Sequence, residues 1–199
     1  MPSLSTFGII DVLSLRGHNT DAQYFALAEY GAGVQPPACI VEIGTFRGKS
    51  ACALASETVA EVFTIDPHDL PGVRRPTGLT NSGRAYNDGA IRREAAANTS
   101  AFPNVTMIRG FSEPVGRSWD GPPVGLLYID GDHREGAVRR DYSAWEPHLT
   151  PDALVIWDDH HDNFPGVLIT AARHINAGRL AVIEQVDGML VTRRTRGTL

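Results

Sequence analysis

The chain has 199 residues, of which 42% are hydrophobic and 21% are charged, and its formal net charge is −5. These values are typical of one globular domain, predicted here over residues 1–199, and they argue against a nucleic-acid partner. The two cysteines, Cys39 and Cys52, lack the spacing of a zinc site or a disulfide framework, which favours a cytoplasmic location. We expect no signal peptide and no membrane span, because no apolar run reaches about 18 residues.

Short apolar segments alternate with amphipathic ones along the chain. Residues 1–33 are expected to form an N-terminal helical segment, with Thr20 or Asp21 as a helix N-cap. Strands are then predicted over residues 39–43, 61–65, 105–108, 124–129 and 153–157, with a late hairpin over 180–184 and 188–191. Helices are predicted between them, over residues 47–57, 90–98, 134–145 and 164–177. This alternation predicts an α/β fold with a mostly parallel sheet covered by helices on both faces.

Residues 67–87 interrupt this alternation with a stretch rich in proline, glycine and asparagine. A loop of this length in a compact domain is usually a functional lid or a disordered segment. We predict a lid. Its Arg74, Arg75 and Arg84 and its few aromatic residues favour a polar ligand over an aromatic one.

A glycine turn follows the first predicted strand, in the segment from Glu42 to Ser50. Gly44 permits a tight turn and a close approach of the backbone to a ligand, and the helix that follows offers unpaired N–H groups to an anion. Glu42 offers a negative charge to a cation. The two together suit an amino-acid zwitterion, such as the methionine end of S-adenosylmethionine, and the G-x-G-x-x-G dinucleotide fingerprint is missing.

The second predicted strand runs into Asp66, which lies 22 residues after Gly44. This is close to the spacing of about 20 residues expected for an acid that binds the ribose of a nucleoside. A strand-terminal aspartate can also simply cap a helix. In this order, however, the two motifs favour the binding of a nucleoside.

An acidic cluster is predicted where the fourth and fifth strands end. Asp130 follows the fourth strand, and Asp158 and Asp159 follow the fifth. If these strands are neighbours, the three carboxylates converge and repel one another. A divalent cation would remove that repulsion, and all-oxygen ligands favour Mg²⁺. His133, three residues after Asp130, is a natural general base near neutral pH.

Simpler interpretations of this cluster stay open. The sequence Asp-Gly-Asp over residues 130–132 can form only a turn, and Asp158 and Asp159 can cap the next helix. His160 and His161 follow directly, and they can be metal ligands, substrate contacts or surface residues.

Four segments, residues 41–50, 65–67, 128–133 and 158–159, together resemble class I S-adenosylmethionine-dependent methyltransferases. They are most similar to the metal-dependent O-methyltransferases of sugars and natural products, the macrocin and mycinamicin group. The methylmannose polysaccharide methyltransferases are a further possibility, and catechol O-methyltransferase a more distant one. The similarity extends over about residues 15–195 and implies a seven-stranded sheet with a reversed last strand, and a homodimer.

The resemblance also implies roles for individual residues. Asp130, Asp158 and Asp159 would hold Mg²⁺, and His133 would be the base, with Asp130 beside it in the catalytic site. S-adenosylmethionine would be bound by Glu42, Gly44, Thr45, Ser50, Asp66, Phe111, Ser112 and Asp130.

The acceptor is expected to be a small molecule or oligosaccharide with adjacent hydroxyls, and the polar lid favours a sugar. A catechol-like or other natural product is the alternative. Two other classes of protein stay open. One is an NAD(P)-dependent oxidoreductase, in which Asp130, Asp158 and Asp159 would have no role, and the other is a non-catalytic cofactor-binding scaffold.

Overall fold

The computed structural model describes residues 8–68, 70 and 88–195. One mixed sheet runs through these residues, in the strand order β3-β2-β1-β4-β5-β7-β6. Its strands are β1 (Cys39–Ile43), β2 (Val62–Asp66), β3 (Val105–Arg109), β4 (Val124–Ile129), β5 (Leu149–Trp157), β6 (Leu180–Val186) and β7 (Met189–Arg194). The helices are α1 (Ile9–Leu13), α2 (Asp21–Ala32), α3 (Lys49–Ala55), α4 (Asp88–Thr99), α5 (Ser112–Arg117), α6 (Glu135–Trp145) and α7 (Pro165–Asn176).

Strands β1 to β5 are parallel, whereas β7 runs antiparallel to both β5 and β6. The predicted fold, a mostly parallel seven-stranded sheet with an antiparallel last strand, is therefore confirmed. The strand order reverses between β1 and β4, where ligands of open α/β sheets bind. Ile129 pairs with Ile43 on one side and with Trp157 on the other, so β1, β4 and β5 end at the same edge.

The core forms two layers, one on each face of the sheet. On one face, the β1 residues Cys39 and Val41 pack in a cluster with Trp145 of α6. On the other face, Ile40 packs with Leu27 of α2 and with residues of α3. The central strands are therefore buried on both sides, as expected for parallel strands, and each large aliphatic side chain in these layers stabilises the fold by about 1.5–3 kcal/mol.

Both cysteines lie in these layers as free thiols. Burial raises the pKa of Cys39 and of Cys52 to about 12. The thiols are therefore neutral, and the two residues act as small buried hydrophobic groups.

Several element boundaries differ from the prediction. Helix α3 begins at Lys49 rather than at residue 47, because Gly48 before it has a φ of 80° that an α-helix cannot contain. Strand β5 begins four residues before the predicted strand, where Leu149 pairs with Val124. Helix α5 was not predicted, and α1 lies in the N-terminal segment that was expected to be helical but was not predicted as a separate helix; both are short.

The predicted lid, residues 67–87, lies almost entirely outside the described residues. Within the described ranges, no helix has both the length and the apolar character needed to cross a membrane.

Candidate active site

A cavity of about 1430 Å³ opens at the edge of the sheet where β1, β2, β4 and β5 end. This volume exceeds the range of about 300–1,000 Å³ that is usual for a single small ligand, so it has room for a nucleoside and a second molecule. Ten of the predicted site residues line it: Gly44, Thr45, Ser50, Asp66, Phe111, Ser112, Asp130, His133, Asp158 and Asp159. Glu42 is fully buried and does not reach the cavity surface.

Gly44 brings the end of β1 into contact with the end of β4. Its φ is 99°, and a Cβ atom placed on it would lie 2.0 Å from the carbonyl oxygen of Asp130. Only glycine has access to this conformation without strain, and only the absence of a side chain permits this approach. The turn therefore depends on glycine for two independent reasons.

Gly44→Ala is expected to destabilise the protein by more than the roughly 1–3 kcal/mol of left-handed backbone strain, because the methyl group also collides with the Asp130 carbonyl. Gly178→Ala is the matched control. Gly178 has a φ of 69°, but a Cβ atom placed on it would meet no other atom within 4 Å. Chemical denaturation should give a clearly larger loss for Gly44→Ala, and equal losses would show that the contact with β4 is unimportant.

Glu42 lies directly beneath the glycine turn. It accepts hydrogen bonds from the hydroxyls of Thr64 and Ser50, and Thr64 also pairs with the Thr45 hydroxyl at 2.6 Å. Burial raises the pKa of Glu42 to about 7. Its Oε1 atom is buried and has no hydrogen-bond partner among the described residues. A buried acceptor without a partner is costly.

Asp66 ties the end of β2 to the glycine turn. One carboxylate oxygen accepts a hydrogen bond from the Phe46 backbone at 3.0 Å, and the other accepts from the His68 backbone at 2.6 Å. The place of Asp66 on the cavity wall fits the predicted ribose contact.

Phe111 and Ser112 lie at the start of α5, and the Trp145 indole donates to the Ser112 hydroxyl at 3.0 Å. Next to them, Asp141 of α6 lines the cavity, and the Ser112 hydroxyl bonds to its carboxyl group. Sequence reasoning missed Asp141. No local sequence pattern marks it, because only the fold places this side of α6 on the cavity wall.

Burial raises the pKa of Asp141 to about 7, although the Ser112 hydrogen bond opposes this shift. A carboxyl group whose pKa is higher in the folded state than in the unfolded state holds its proton more tightly in the folded protein. Its ionisation therefore lowers the free energy of unfolding, and this loss occurs as the pH rises from about 4 to about 7. Asp141→Asn should remove this part of the pH dependence. We expect the stability of the variant relative to wild type to increase between pH 5 and pH 8 in denaturation experiments; a constant difference would contradict this.

The structure brings together Asp130, His133 and Asp159, whose ligand atoms all lie within 4.8 Å of one another. The His133 Nε2 atom lies 3.2 Å from Asp159 Oδ2 and 3.8 Å from Asp130 Oδ1. Asp158, the third predicted ligand, is not part of this group; it is 6% exposed and interacts with Asp130. The predicted convergence of the two strand ends follows from the pairing of β4 with β5.

The electrostatics of this cluster are unfavourable without a cation. Burial, followed by the charges of Asp158 and Asp159, raises the pKa of Asp130 well above its usual range. Burial and the charge of Asp159 raise the pKa of Asp158 to about 6. Burial lowers the pKa of His133, against the opposite effect of Asp159 and Asp132. A divalent cation would relieve the repulsion among the acids.

The two histidines after Asp159 occupy different places, and neither lines the cavity. His161 lies 3.3 Å from Asp159 Oδ1 and packs against the Phe164 ring. His160 bonds to Gln185 instead. Of the two, only His161 contacts a residue of the acidic cluster.

Comparisons with known proteins match this architecture. Residues 41–160 match a family described as methyltransferase domain. An uncharacterised protein, R132, of Acanthamoeba polyphaga mimivirus is 26% identical over 127 residues, which cover 61% of this chain. The chain spans about half the length of that curated relative, 51%.

Solved structures share the fold at low sequence identity. The O-methyltransferase NovP has a TM-score of 0.70 and 16% identity, covering 91% of this chain and 84% of that one. TomG, an O-methyltransferase from Streptomyces achromogenes involved in tomaymycin synthesis, has a TM-score of 0.65 and 18% identity, with coverages of 89% and 82%. CalS11, a TDP-rhamnose 3'-O-methyltransferase of calicheamicin biosynthesis, has a TM-score of 0.60 and 15% identity, with coverages of 96% and 81%.

The family match includes the glycine turn, Asp66 and the acidic cluster, and it extends over more than half of the chain. The methyltransferase family predicted from the sequence is thereby confirmed: the chain belongs to the methyltransferase domain family.

Proposed function

We propose that this protein transfers the methyl group of S-adenosylmethionine to a hydroxyl group of a sugar, with Mg²⁺ as a cofactor and His133 as the general base. The observation that carries this proposal is the composition of the cavity wall. One part of it holds Ser50, Asp66 and Ser112, and the other holds the acidic cluster with His133. A methyl donor and a chelated hydroxyl acceptor need these two kinds of surface side by side.

The first part of the wall suits S-adenosylmethionine. Ser50, backed by the unsatisfied oxygen of Glu42, would bind the methionine end near the glycine turn formed by Gly44 and Thr45. Asp66 would accept hydrogen bonds from the ribose hydroxyls. Phe111 and Ser112 would contact the adenine.

The second part suits an oxygen-liganded cation. Asp130, Asp158 and Asp159 would hold Mg²⁺, because their repulsion is relieved by a divalent charge and their oxygen atoms are the ligands that Mg²⁺ prefers. When bound, the ion would orient adjacent hydroxyls and lower the pKa of the one that attacks.

His133 would accept the proton of the attacking hydroxyl at Nε2, which faces the acids. The lowered pKa of His133 keeps the imidazole neutral and able to accept a proton near neutral pH. The same nitrogen lies within reach of a cation bound by Asp130 and Asp159, so His133 as a metal ligand is a second candidate role. The two roles predict different metal affinities for a His133 variant.

The cavity wall beside the acids favours a polar acceptor. Asp132, Arg134, Glu135 and Asn163 would bind the hydroxyls of such an acceptor, and the apolar residues Phe164, which contacts His133, Pro165 and Ile169 line the same part of the wall. CalS11, which shares the fold, is described as acting on a sugar nucleotide. A catechol-like acceptor remains the alternative. We also propose that the protein is a cytoplasmic homodimer and that it has no nucleic-acid partner.

Isothermal titration calorimetry with S-adenosylhomocysteine and with NADH tests the donor. We expect S-adenosylhomocysteine alone to bind; binding of NADH alone would favour the oxidoreductase alternative. A panel of glycosides and catechols, incubated with S-adenosylmethionine and Mg²⁺, then tests the acceptor. Methylation of catechols alone would overturn the sugar proposal, and no methylation at all would favour the non-catalytic scaffold.

A further inference from the structure

The segment between α1 and α2, residues 14–20, lines the cavity through Arg16, Gly17, His18 and Asn19 and is here named the strap. Lys49 fixes one end, where its Nζ donates a hydrogen bond to the Leu13 carbonyl at 3.0 Å. Thr20 fixes the other end, where its hydroxyl donates to Asp187 Oδ2 at 2.6 Å. The strap lies before residue 41, outside the stretch that matches the methyltransferase family.

Asp158 receives hydrogen bonds from the strap and from the first turn of α2. Asn19 Nδ2 donates to Asp158 Oδ2 at 3.0 Å, and Gln23 Nε2 donates to Asp158 Oδ1 at 3.1 Å. Tyr128 adds its hydroxyl from β4, and its oxygen accepts from the same Asn19 amide at 3.1 Å. Both oxygens of this buried carboxylate are therefore held in place from the N-terminal part of the chain.

The orientation of the Gln23 amide is determined by the cap of α2. Its Oε1 accepts from the Thr20 backbone at 2.9 Å, while the Thr20 hydroxyl accepts from the Gln23 backbone at 3.2 Å. This reciprocal pair is a capping box. Because Oε1 accepts the hydrogen bond of the cap, the NH₂ group of the same amide points to Asp158. The Gln23 side chain therefore both caps the N-terminus of α2 and donates a hydrogen bond to the Asp158 carboxylate.

We propose that Asn19 and Gln23 are positioning residues that hold Asp158 in the orientation in which it binds the divalent cation. The inference rests on the proposed metal site. Groups that hydrogen-bond to a metal ligand fix its orientation, and removing them typically weakens metal binding by about 10- to 100-fold. Two residues that lie before the stretch matched by the methyltransferase family would thus hold one ligand of the cation site.

Gln23→Met is the first variant, because methionine has nearly the volume of glutamine but cannot donate to Asp158, and the Thr20 hydroxyl still accepts from the backbone N–H of residue 23. Asn19→Ala removes the other donor from a position outside any helix. Gln35→Ala is the control, since the Gln35 amide bonds to the Ala32 carbonyl at an exposed site. Free Mn²⁺ is measured by electron paramagnetic resonance, S-adenosylhomocysteine binding by calorimetry, and the melting temperature by circular dichroism.

We expect both Asp158-facing variants to bind Mn²⁺ about 10- to 100-fold more weakly than wild type, with the affinity for S-adenosylhomocysteine and the melting temperature close to those of the control. Mn²⁺ binding equal to the control in both variants would overturn the inference while leaving the metal site intact. A loss of Mn²⁺ binding only in parallel with a large drop in melting temperature would show a merely structural role. If the wild-type protein bound no Mn²⁺, the result would contradict the proposed metal site itself, and the inference about Asn19 and Gln23 would fall with it.

Discussion

Replacing His133 with alanine is expected to lower kcat by about 10²- to 10⁴-fold, the usual contribution of a general base. The Kd for S-adenosylhomocysteine should stay unchanged, because the ring faces Asp130 and Asp159 rather than the glycine turn. Methyl transfer measured under saturating donor and calorimetric titration of S-adenosylhomocysteine check the two halves of this prediction.

His160→Ala is the matched control for this variant. His160 lies next to Asp159 in the chain but bonds to Gln185 and does not line the cavity, so its loss should change kcat little. Unchanged turnover in His133→Ala would remove His133 from the mechanism. A loss of Mn²⁺ affinity, with turnover restored by excess metal, would instead make His133 a metal ligand.

Removing divalent cations is expected to abolish methyl transfer, and adding Mg²⁺ should restore it. A bound metal ion stabilises developing charge by several kcal/mol, and about 4 kcal/mol corresponds to roughly a thousandfold in rate. Treatment with EDTA, followed by dialysis and titration with Mg²⁺, measures this directly. Full activity in excess chelator would contradict the proposed metal dependence.

Asp159→Asn should reproduce the effect of chelation in the presence of Mg²⁺, because it removes one negative charge from the cluster without changing the shape of the side chain. Asp162→Asn is the control, since Asp162 lies three residues further on and is exposed. Similar losses in both variants would indicate a general effect of charge on this surface rather than a specific site.

Much of the fold could be predicted because its signals are local. The strands β1 and β4 are short apolar runs, and their predicted boundaries match those of the structure. The boundary of α3 was missed because the decisive feature is the left-handed conformation of Gly48, and a glycine in a sequence does not reveal its φ. The short helices α1 and α5 contain too few residues to show a helical period.

The candidate site could be predicted where it follows strand ends, because the pairing of β1, β4 and β5 brings Asp130 and Asp159 to one edge. The contacts of Asp158 with Asn19 and Gln23 join residues more than 130 positions apart, and no local pattern encodes them. Asp141 was missed for a similar reason, since only the packing of α6 against α5 places it beside Ser112.

Mass spectrometry of a sugar acceptor with adjacent hydroxyls, incubated with purified protein, Mg²⁺ and S-adenosylmethionine carrying a deuterated methyl group, tests the proposed reaction most directly. We predict that the acceptor gains one deuterated methyl group on oxygen, and that a matched acceptor lacking one of the two hydroxyls gains much less. Transfer of the label to no hydroxyl acceptor, by a protein that binds both S-adenosylhomocysteine and Mn²⁺, would contradict O-methyl transfer as the function.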